Sequence, residues 1–256
     1  ITGPARDIFD RRRHHKRAHL AASTRKRGKD VSVTFKNREE AGRQLVPKLL
    51  QYRDDPHGLI LALPRGGVAV GYQLSLALHL PLDVFITRKI GAPGNPEYAI
   101  GAVAETGSHY LNQEAIGSFG LSRHELERSI AVQEKEIARR KDLYRQGRPL
   151  PQLTGRTVLL VDDGIATGST FMASALAIRN LQPRRLVGVI PVGPPSTIRD
   201  VRSHVDELVV LLTPEPFEAV GNFFVDFTQV EDRDVIQYLN LAEEAMLEHT
   251  PSSPAS

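Results

Sequence analysis

The sequence predicts an α/β fold, a mainly parallel sheet flanked by helices with a long helical insertion. Three observations carry this. From about residue 37 onward, segments of helical period alternate with short β-branched runs, the pattern of successive strand–helix–strand units. The most strand-like run, TVLLVDD (157–163), passes directly into the small-residue loop GIATGST and then into a helical segment. Nearer the N-terminus, GLILAL (58–63), a PRGG turn and the apolar VAVGYQLSLALHL follow one another in the same order.

Taken in order, Asn37 is placed to cap a helix through Tyr52, with Ala41, Leu45, Leu49 and Leu50 on one face despite Pro47 inside it. GLILAL is a buried strand, PRGG (64–67) a turn, and residues 68–80 a helix. LDVFITRKI (82–90) is the next strand. APGNPEYA (92–99) holds two prolines, a glycine and an asparagine and is expected to be a loop, with AIGAVAE and HYLN as short strands after it. Ser122 with Glu125 three residues on forms a capping box. It opens a charged helix closing near Gly147 and Pro149, whose narrow stripe of Leu126, Ile130, Ile137 and Tyr144 suits an exposed arm packed along one edge. Ser169–Leu181 is a helix, RLVGVIPV and ELVVLL are strands with a helix between them, Asp232–His249 is a terminal helix and TPSSPAS (250–256) a disordered tail.

The 256 residues are 41 % hydrophobic, enough for a sizeable core. The chain has no cysteine, which excludes disulfides, zinc–thiolate sites and thiol nucleophiles and leaves the chemistry to hydroxyl, carboxylate and basic groups. No apolar run approaches the ~18 residues of a membrane span, and no signal segment stands near the start, so a soluble, cytoplasmic protein is expected. The basicity is local. Residues 1–30 carry ten basic and three acidic side chains, whereas the other 226 carry 23 basic and 27 acidic. That segment is expected to be a solvated, disordered tail in which His14, His15 and His19 bind no metal, with nucleic-acid contact as its functional alternative.

In an open α/β sheet, ligands bind beyond the carboxyl ends of the strands. Asp162 and Asp163 stand at such an end, where two carboxylates accept hydrogen bonds from a vicinal diol or help hold Mg2+. Loop N–H groups and the hydroxyls of Thr167, Ser169 and Thr170 converge near a helix N-terminus, a place for a phosphate. Diol and monophosphate side by side describe a ribose 5-phosphate. A P-loop needs four residues between its glycines and a lysine before the hydroxyl residue; Gly164 and Gly168 are separated by three, with no lysine. A receiver-type acidic pocket needs a further aspartate after the next strand, and RLVGVIPVG supplies none.

VLLVDDGIATGST (158–170) resembles the phosphoribosyl pyrophosphate (PRPP) motif of the type I phosphoribosyltransferases over all of its thirteen residues. The resemblance implies that fold for residues 31–249, with 122–147 as the helical insertion and 214–228 as a candidate base-binding hood. It implies that Asp162 and Asp163 bind the ribose hydroxyls, directly or through magnesium, while Ala166, Thr167, Gly168, Ser169 and Thr170 wrap the 5-phosphate. ALPRGG (62–67) is similar to the family's diphosphate-binding turn, which puts Arg65, Gly66 and Gly67 there. Arg88 and Lys89 end the next strand, as basic residues do before the family's mobile loop; with Arg65 they are the candidate catalytic cations, and Lys89 also contacts diphosphate. Residues 31–240 resemble a bacterial subgroup whose acceptor the resemblance does not supply. Ala166 is similar to the A-T-G form of adenine and uracil enzymes. PFEAVGNFFVDF (216–227) is similar to the base-binding segment of hypoxanthine-guanine enzymes, which marks Phe217 and Asp226. These two features point to different bases. The expected function is Mg2+-dependent transfer of ribose 5-phosphate from PRPP to a nitrogenous base, in purine or pyrimidine salvage, by a homodimer. The alternatives are a PRPP- or nucleotide-sensing regulator on the same fold, using the tail on nucleic acid, and a PRPP hydrolase.

Overall fold

The computed structural model describes residues 35–92 and 94–249; the expected tails at 1–30 and 250–256, with the three tail histidines, lie outside the described residues. The elements in chain order are α1 (Arg38–Leu45), β1 (Gly58–Ala62), α2 (Gly66–Leu78), β2 (Leu82–Val84), β3 (Thr87–Ala92), β4 (Asn95–Ala104), β5 (His109–Leu111), α3 (Gln113–Ser118), α4 (Arg123–Arg145), β6 (Thr157–Val161), α5 (Ser169–Arg179), β7 (Arg185–Val192), α6 (Pro195–Arg202), β8 (Glu207–Leu212) and α7 (Asp232–His249). No helix among the described residues is long and apolar enough to cross a membrane.

Five strands form a sheet in the order β2-β1-β6-β7-β8, parallel throughout. Strands buried on both faces read as continuous apolar runs, and every residue of β1 and β6 is buried. Alternation divides those runs between two cores. Leu59, Leu61, Val158 and Leu160 pack with Phe171, Ala175 and Ile178 of α5, while Ile60, Leu159 and Val161 pack with Val70, Leu74 and Leu78 of α2 and Leu45 of α1. From β1 the chain steps outward to β2, and from β6 it steps the other way to β7. The strand order therefore reverses between β1 and β6, and the loops that follow them border a crevice beyond the strand ends.

Three antiparallel strands, β3-β4-β5, form a second sheet. The expected single strand over 82–90 is broken here. The chain leaves the parallel sheet after Val84, and Phe85 still donates to Ala62 O (3.0 Å) while Ile86 N donates to Glu105 Oε1 (2.8 Å). The buried Arg145 near the end of α4 donates to Val84 O, to both carboxylate oxygens of Glu105 and to Asp83 Oδ1 (3.1 Å). One guanidinium and one carboxylate thus replace ladder partners that the backbone loses at the crossing. The expected loop 92–99 is a hairpin instead. The chain reverses at Gly94 (φ +76°), and β4 starts at Asn95. Two register shifts, between Ile90 and Gly91 and between Gly91 and Ala92, provide the irregularity at which a ladder tolerates proline.

Helix α1 is shorter than its apolar pattern. Asn37 caps it as expected, accepting from Glu40 N (3.0 Å), but it ends at Leu45 and Val46–Lys48 and Leu50–Tyr52 are 3-10 turns; Pro47 has no N–H to continue the α ladder. The Ser122–Glu125 capping box is formed. Along α4, Ile137 and Tyr144 are buried against β3, β4 and α7, with Leu126 and Ile130 packed at the margin. We expect Arg145→Met to lower the unfolding free energy by about 3–5 kcal/mol in urea titration, because Glu105 and Asp83 would stay buried without their cation.

Candidate functional site

The loops after β1 and β6 meet at the reversal point. Leu63 N donates to Val161 O (2.8 Å), which holds the PRGG turn beside the end of β6, and Gly67 N closes that turn onto Leu63 O (3.1 Å). The Pro64–Arg65 peptide is cis, and Gly66 and Gly67 begin α2. Close approach requires Gly66. A Cβ there would lie 1.9 Å from Asp163 Oδ2 and 2.9 Å from Arg38 Nε.

Asp162 and Asp163 follow β6 directly, half-buried. Desolvation, and then the charge of Asp163, raise the Asp162 carboxyl well above the ordinary carboxylate range. Asp163 is paired, since Arg38 Nε donates to its Oδ2 at 2.6 Å. Arg38 pairs with Asp163 and not with Asp162, and carboxylate oxygens are the hard donors that Mg2+ prefers. The pair therefore fits that ion, each carboxylate having one oxygen engaged, Asp162 Oδ1 by Asp163 N (2.9 Å) and Asp163 Oδ2 by Arg38.

The loop 164–168 is fixed from below. Ile165 is buried and donates its N–H to Val192 O (3.0 Å), and Thr197 Oγ1 of α6 donates to Ala166 O (2.7 Å). Gly168 takes the left-handed conformation (φ +71°) immediately before α5, without a side-chain cap on that helix. The first N–H groups of α5, which have no intrahelical acceptor, thus face the loop mouth. Thr167 Oγ1 and Ser169 Oγ stand 3.4 Å apart, and Thr167 is exposed. Amides and hydroxyls around one small-residue loop are the donor set a phosphate monoester takes.

The basic residues sort less simply. Arg65, Gly66 and Gly67 lie at the crevice, and Arg65 Nη1 is 3.6 Å from Asp232 Oδ1 at the start of α7. Arg88 Nε donates to Gln133 Oε1 of α4 (3.2 Å). Burial, and then the neighbouring Arg140, lower its pKa below the ordinary guanidinium range, and Arg65 adds to the effect. Strand alternation puts Lys89 on the opposite face of β3, the face from which Thr87 accepts a hydrogen bond from Ser174 of α5 (2.8 Å). Arg88 and Lys89 therefore address different sides. Helix α4 brings two more arginines. Arg139 bonds Glu136 (2.9 Å) and Asp232 (3.0 Å), Arg140 bonds Glu136 (2.7 Å), and Tyr144 donates to Asp232 (2.6 Å). These four arginines share the two carboxylates Glu136 and Asp232, so the cluster beside the PRGG turn keeps excess positive charge.

Phe217 stacks on Phe223 (5.2 Å between centroids) within an aromatic cluster that includes Phe35, Phe224 and Phe227. That cluster pins segment 214–228 to the N-terminal end of the described chain. Phe35 bridges Phe224, and Val225 N and Asp226 N donate to Phe35 O and Lys36 O (2.9 Å each). Asp226 accepts from Thr228 N (2.9 Å) and Oγ1 (2.6 Å), bonds that hold its carboxyl below the usual range. Asp226, Thr228, Asn37, Arg38 and Tyr238 line a cleft of about 190 Å³. Arg38 is the site residue that sequence reasoning missed. Elsewhere, Asp54, His79 and His249 bring ligand atoms within 4.8 Å of one another, but His79 is already engaged on both ring nitrogens, by Asp54 (2.8 Å) and Arg53 (3.4 Å).

An open parallel sheet with paired carboxylates and an amide-lined loop at its reversal point places the chain among the open-sheet α/β proteins. The chain belongs to the phosphoribosyl transferase domain family, whose profile matches residues 35–223. It is 38 % identical over 208 residues to a Mycobacterium tuberculosis protein provisionally named as a phosphoribosyl transferase, a match covering 81 % of this chain and 47 % of that protein. The chain thus spans about half the length of the curated relatives it matches. It is similar to the crystal structure of TT1426 from Thermus thermophilus, with TM-score 0.68 and 38 % identity over 80 % of this chain and 97 % of that one.

Two outcomes follow from the site's packing. Gly66→Ala is expected to separate Arg38 from Asp163 and cost about 1–3 kcal/mol, the range of an overpacked interior contact, measured by urea unfolding. The hydrogen bond from Arg139, reinforced by Arg140, holds the Glu136 carboxyl down to about 2 from an ordinary 4.5. A depressed folded value stabilises the fold above the unfolded one, so this contribution is complete above about 4.5 and is lost as pH falls toward 2. Thermal melts across that window should show a shallower acid-side decline in Glu136→Gln.

Proposed function

We propose that the protein transfers ribose 5-phosphate from PRPP to a nitrogenous base, releasing diphosphate, in nucleotide salvage inside the cell. The observation that carries this reading is the junction of the β1 and β6 loops, where carboxylates, a phosphate-type cradle and a guanidinium-rich flank adjoin. Residues 31–249 act as one unit in it. Asp162 and Asp163 take the ribose hydroxyls and hold Mg2+, Ala166–Thr170 take the 5-phosphate, and Arg65, Gly66 and Gly67 take the diphosphate; Lys89, on the α5 face of β3, is not in that set.

In the reaction a ring nitrogen of the base bonds to C1 as the C1–O bond to diphosphate breaks, the electron pair leaves with diphosphate, and the proton the base gives up is released with it. The sugar develops oxocarbenium character and the leaving group accumulates negative charge, which pre-positioned cations stabilise. Arg65 and Arg88 belong to a cluster with more guanidinium than carboxylate, which supports that role. Magnesium, when bound, supplies further positive charge at the ribose hydroxyls and the diphosphate. Segment 214–228 covers the acceptor side and, with the β3–β4 hairpin, keeps competing water from C1. Phe217, packed on Phe223, shapes this cover, and Asp226 at the cleft is placed to accept from the base.

Calorimetric titration of PRPP with magnesium, followed by a panel of bases scored for diphosphate release, tests the reading. Asp162→Asn with Asp163→Asn should weaken PRPP binding at least ~100-fold, the loss of two charge-assisted contacts, and release should depend on one base. Binding without release from any base would make the protein a sensor. Release without a base would make it a hydrolase.

A further inference from the structure

We propose that Arg38 is a positioning residue that sets the Asp163 carboxylate for the ribose hydroxyls and ties the acceptor-side hood to it. This inference rests on the phosphoribosyl-transfer reading above.

Asn37 caps α1, which fixes where the helix starts and so where its first side chain projects. The Arg38 side chain is only 10 % exposed, and a guanidinium that deeply placed must find acceptors in fixed directions. It finds three partners. Nε donates to Asp163 Oδ2 (2.6 Å), Nη1 donates to Thr228 O (2.8 Å), and the guanidinium carbon lies 3.8 Å from the centroid of the Phe227 ring. Thr228 is itself held by Asp226 through two hydrogen bonds, so its carbonyl is a stationary acceptor. Gly66 leaves open the space in which Arg38 and Asp163 meet.

The consequences for Asp163 are specific. Its Oδ2 is committed to the guanidinium, which orients the remaining Oδ1 for a sugar hydroxyl. The positive charge also offsets the repulsion between Asp163 and Asp162, so two neighbouring carboxylates can stand together before a ligand arrives. On the other side, the same planar group hangs residues 226–228 beside the ribose end. Hood and carboxylate therefore share one side chain, and a change at one reaches the other through it. Lysine offers a point charge without the second, divergent donor or the flat face, and cannot serve both partners at once.

The test is calorimetric titration of PRPP with Mg2+ into the full chain as wild type, Arg38→Gln, Arg38→Lys, Asp163→Asn and the Arg38→Gln/Asp163→Asn double variant, with a thermal melt of each. Arg38→Gln should weaken binding at least ~10-fold, as expected when a buried charge loses its partner. Arg38→Lys should recover part of that loss. Because Arg38 acts through Asp163, the double variant should bind no worse than Asp163→Asn alone. A purely structural role would instead lower melting temperatures and give additive losses. Additive losses, unchanged affinity in Arg38→Gln, or tighter binding in it would overturn the proposal; the last would mean that Arg38 competes with the ligand for Asp163. Phe227→Leu, which removes the ring under Arg38 together with its contact to Phe224, keeps the test open should Arg38→Gln not fold. It should weaken binding by about 2–10-fold, and unchanged affinity would count against the proposal. Failure of the wild type to bind PRPP would overturn the functional reading and this inference together, whereas wild-type binding with an indifferent Arg38→Gln would overturn this inference alone.

Discussion

The buried contact of Arg145 with Glu105, Asp83 and Val84 O is the constraint on which the two-sheet arrangement depends. A strand that leaves one sheet to enter another gives up ladder partners in a place water does not reach, and each unsatisfied group costs on the order of 1–3 kcal/mol. Arg145 and Glu105 fill those vacancies from α4 and from the end of β4. The ion pair itself contributes little net stability after desolvation. Its importance is geometric, since it fixes where β3 departs and hence where Arg88 and Lys89 stand relative to the PRGG turn.

With that departure fixed, the site follows from sheet order. Reversal between β1 and β6 turns two ordinary strand–loop–helix crossovers into neighbours, whose loops touch where Gly66 meets Asp163. What fills the crevice is charge: the carboxylates of Asp162 and Asp163 at its floor, unpaired helix amides on one flank and arginines on the other. Each group is tolerated because a neighbour partly offsets it, Arg38 for Asp163 and Asp232 for Arg65. What remains is a floor of carboxylate oxygens and a rim rich in guanidinium.

Much of this was legible in the sequence, and the rest was hidden for identifiable reasons. The Ser122 capping box, the bounds of Asp232–His249 and the thirteen-residue loop motif are local signals, and local signals survive folding. Pro47 signalled the short α1 but was outweighed by an apolar pattern that continues through two 3-10 turns. The break in 82–90 was not legible, because the groups that make it possible, Glu105 and Arg145, lie well downstream. The opposite facing of Arg88 and Lys89 could have been read from strand alternation alone. Arg38 could not. Nothing around an arginine in the first turn of a helix marks it, and its partners stand 125 and 190 residues away.

That last separation bears on how the protein assembles. The carboxylate floor forms from β1, β6 and their helices, elements closed largely by connections within the sheet. The hood is complete only after residues near 35 find residues near 226, when almost all of the described chain has been made. Closing so long a loop adds little free energy beyond a shorter one, because the entropic cost grows with the logarithm of length, but contacts of such sequence separation form late. These contacts also run through the buried aromatic cluster of Phe35, Phe223 and Phe224, so the hood opens in local fluctuations only where that cluster does. The amides of Val225 and Asp226, bonded to Phe35 O and Lys36 O, are therefore expected to share the protection of that cluster rather than that of β6.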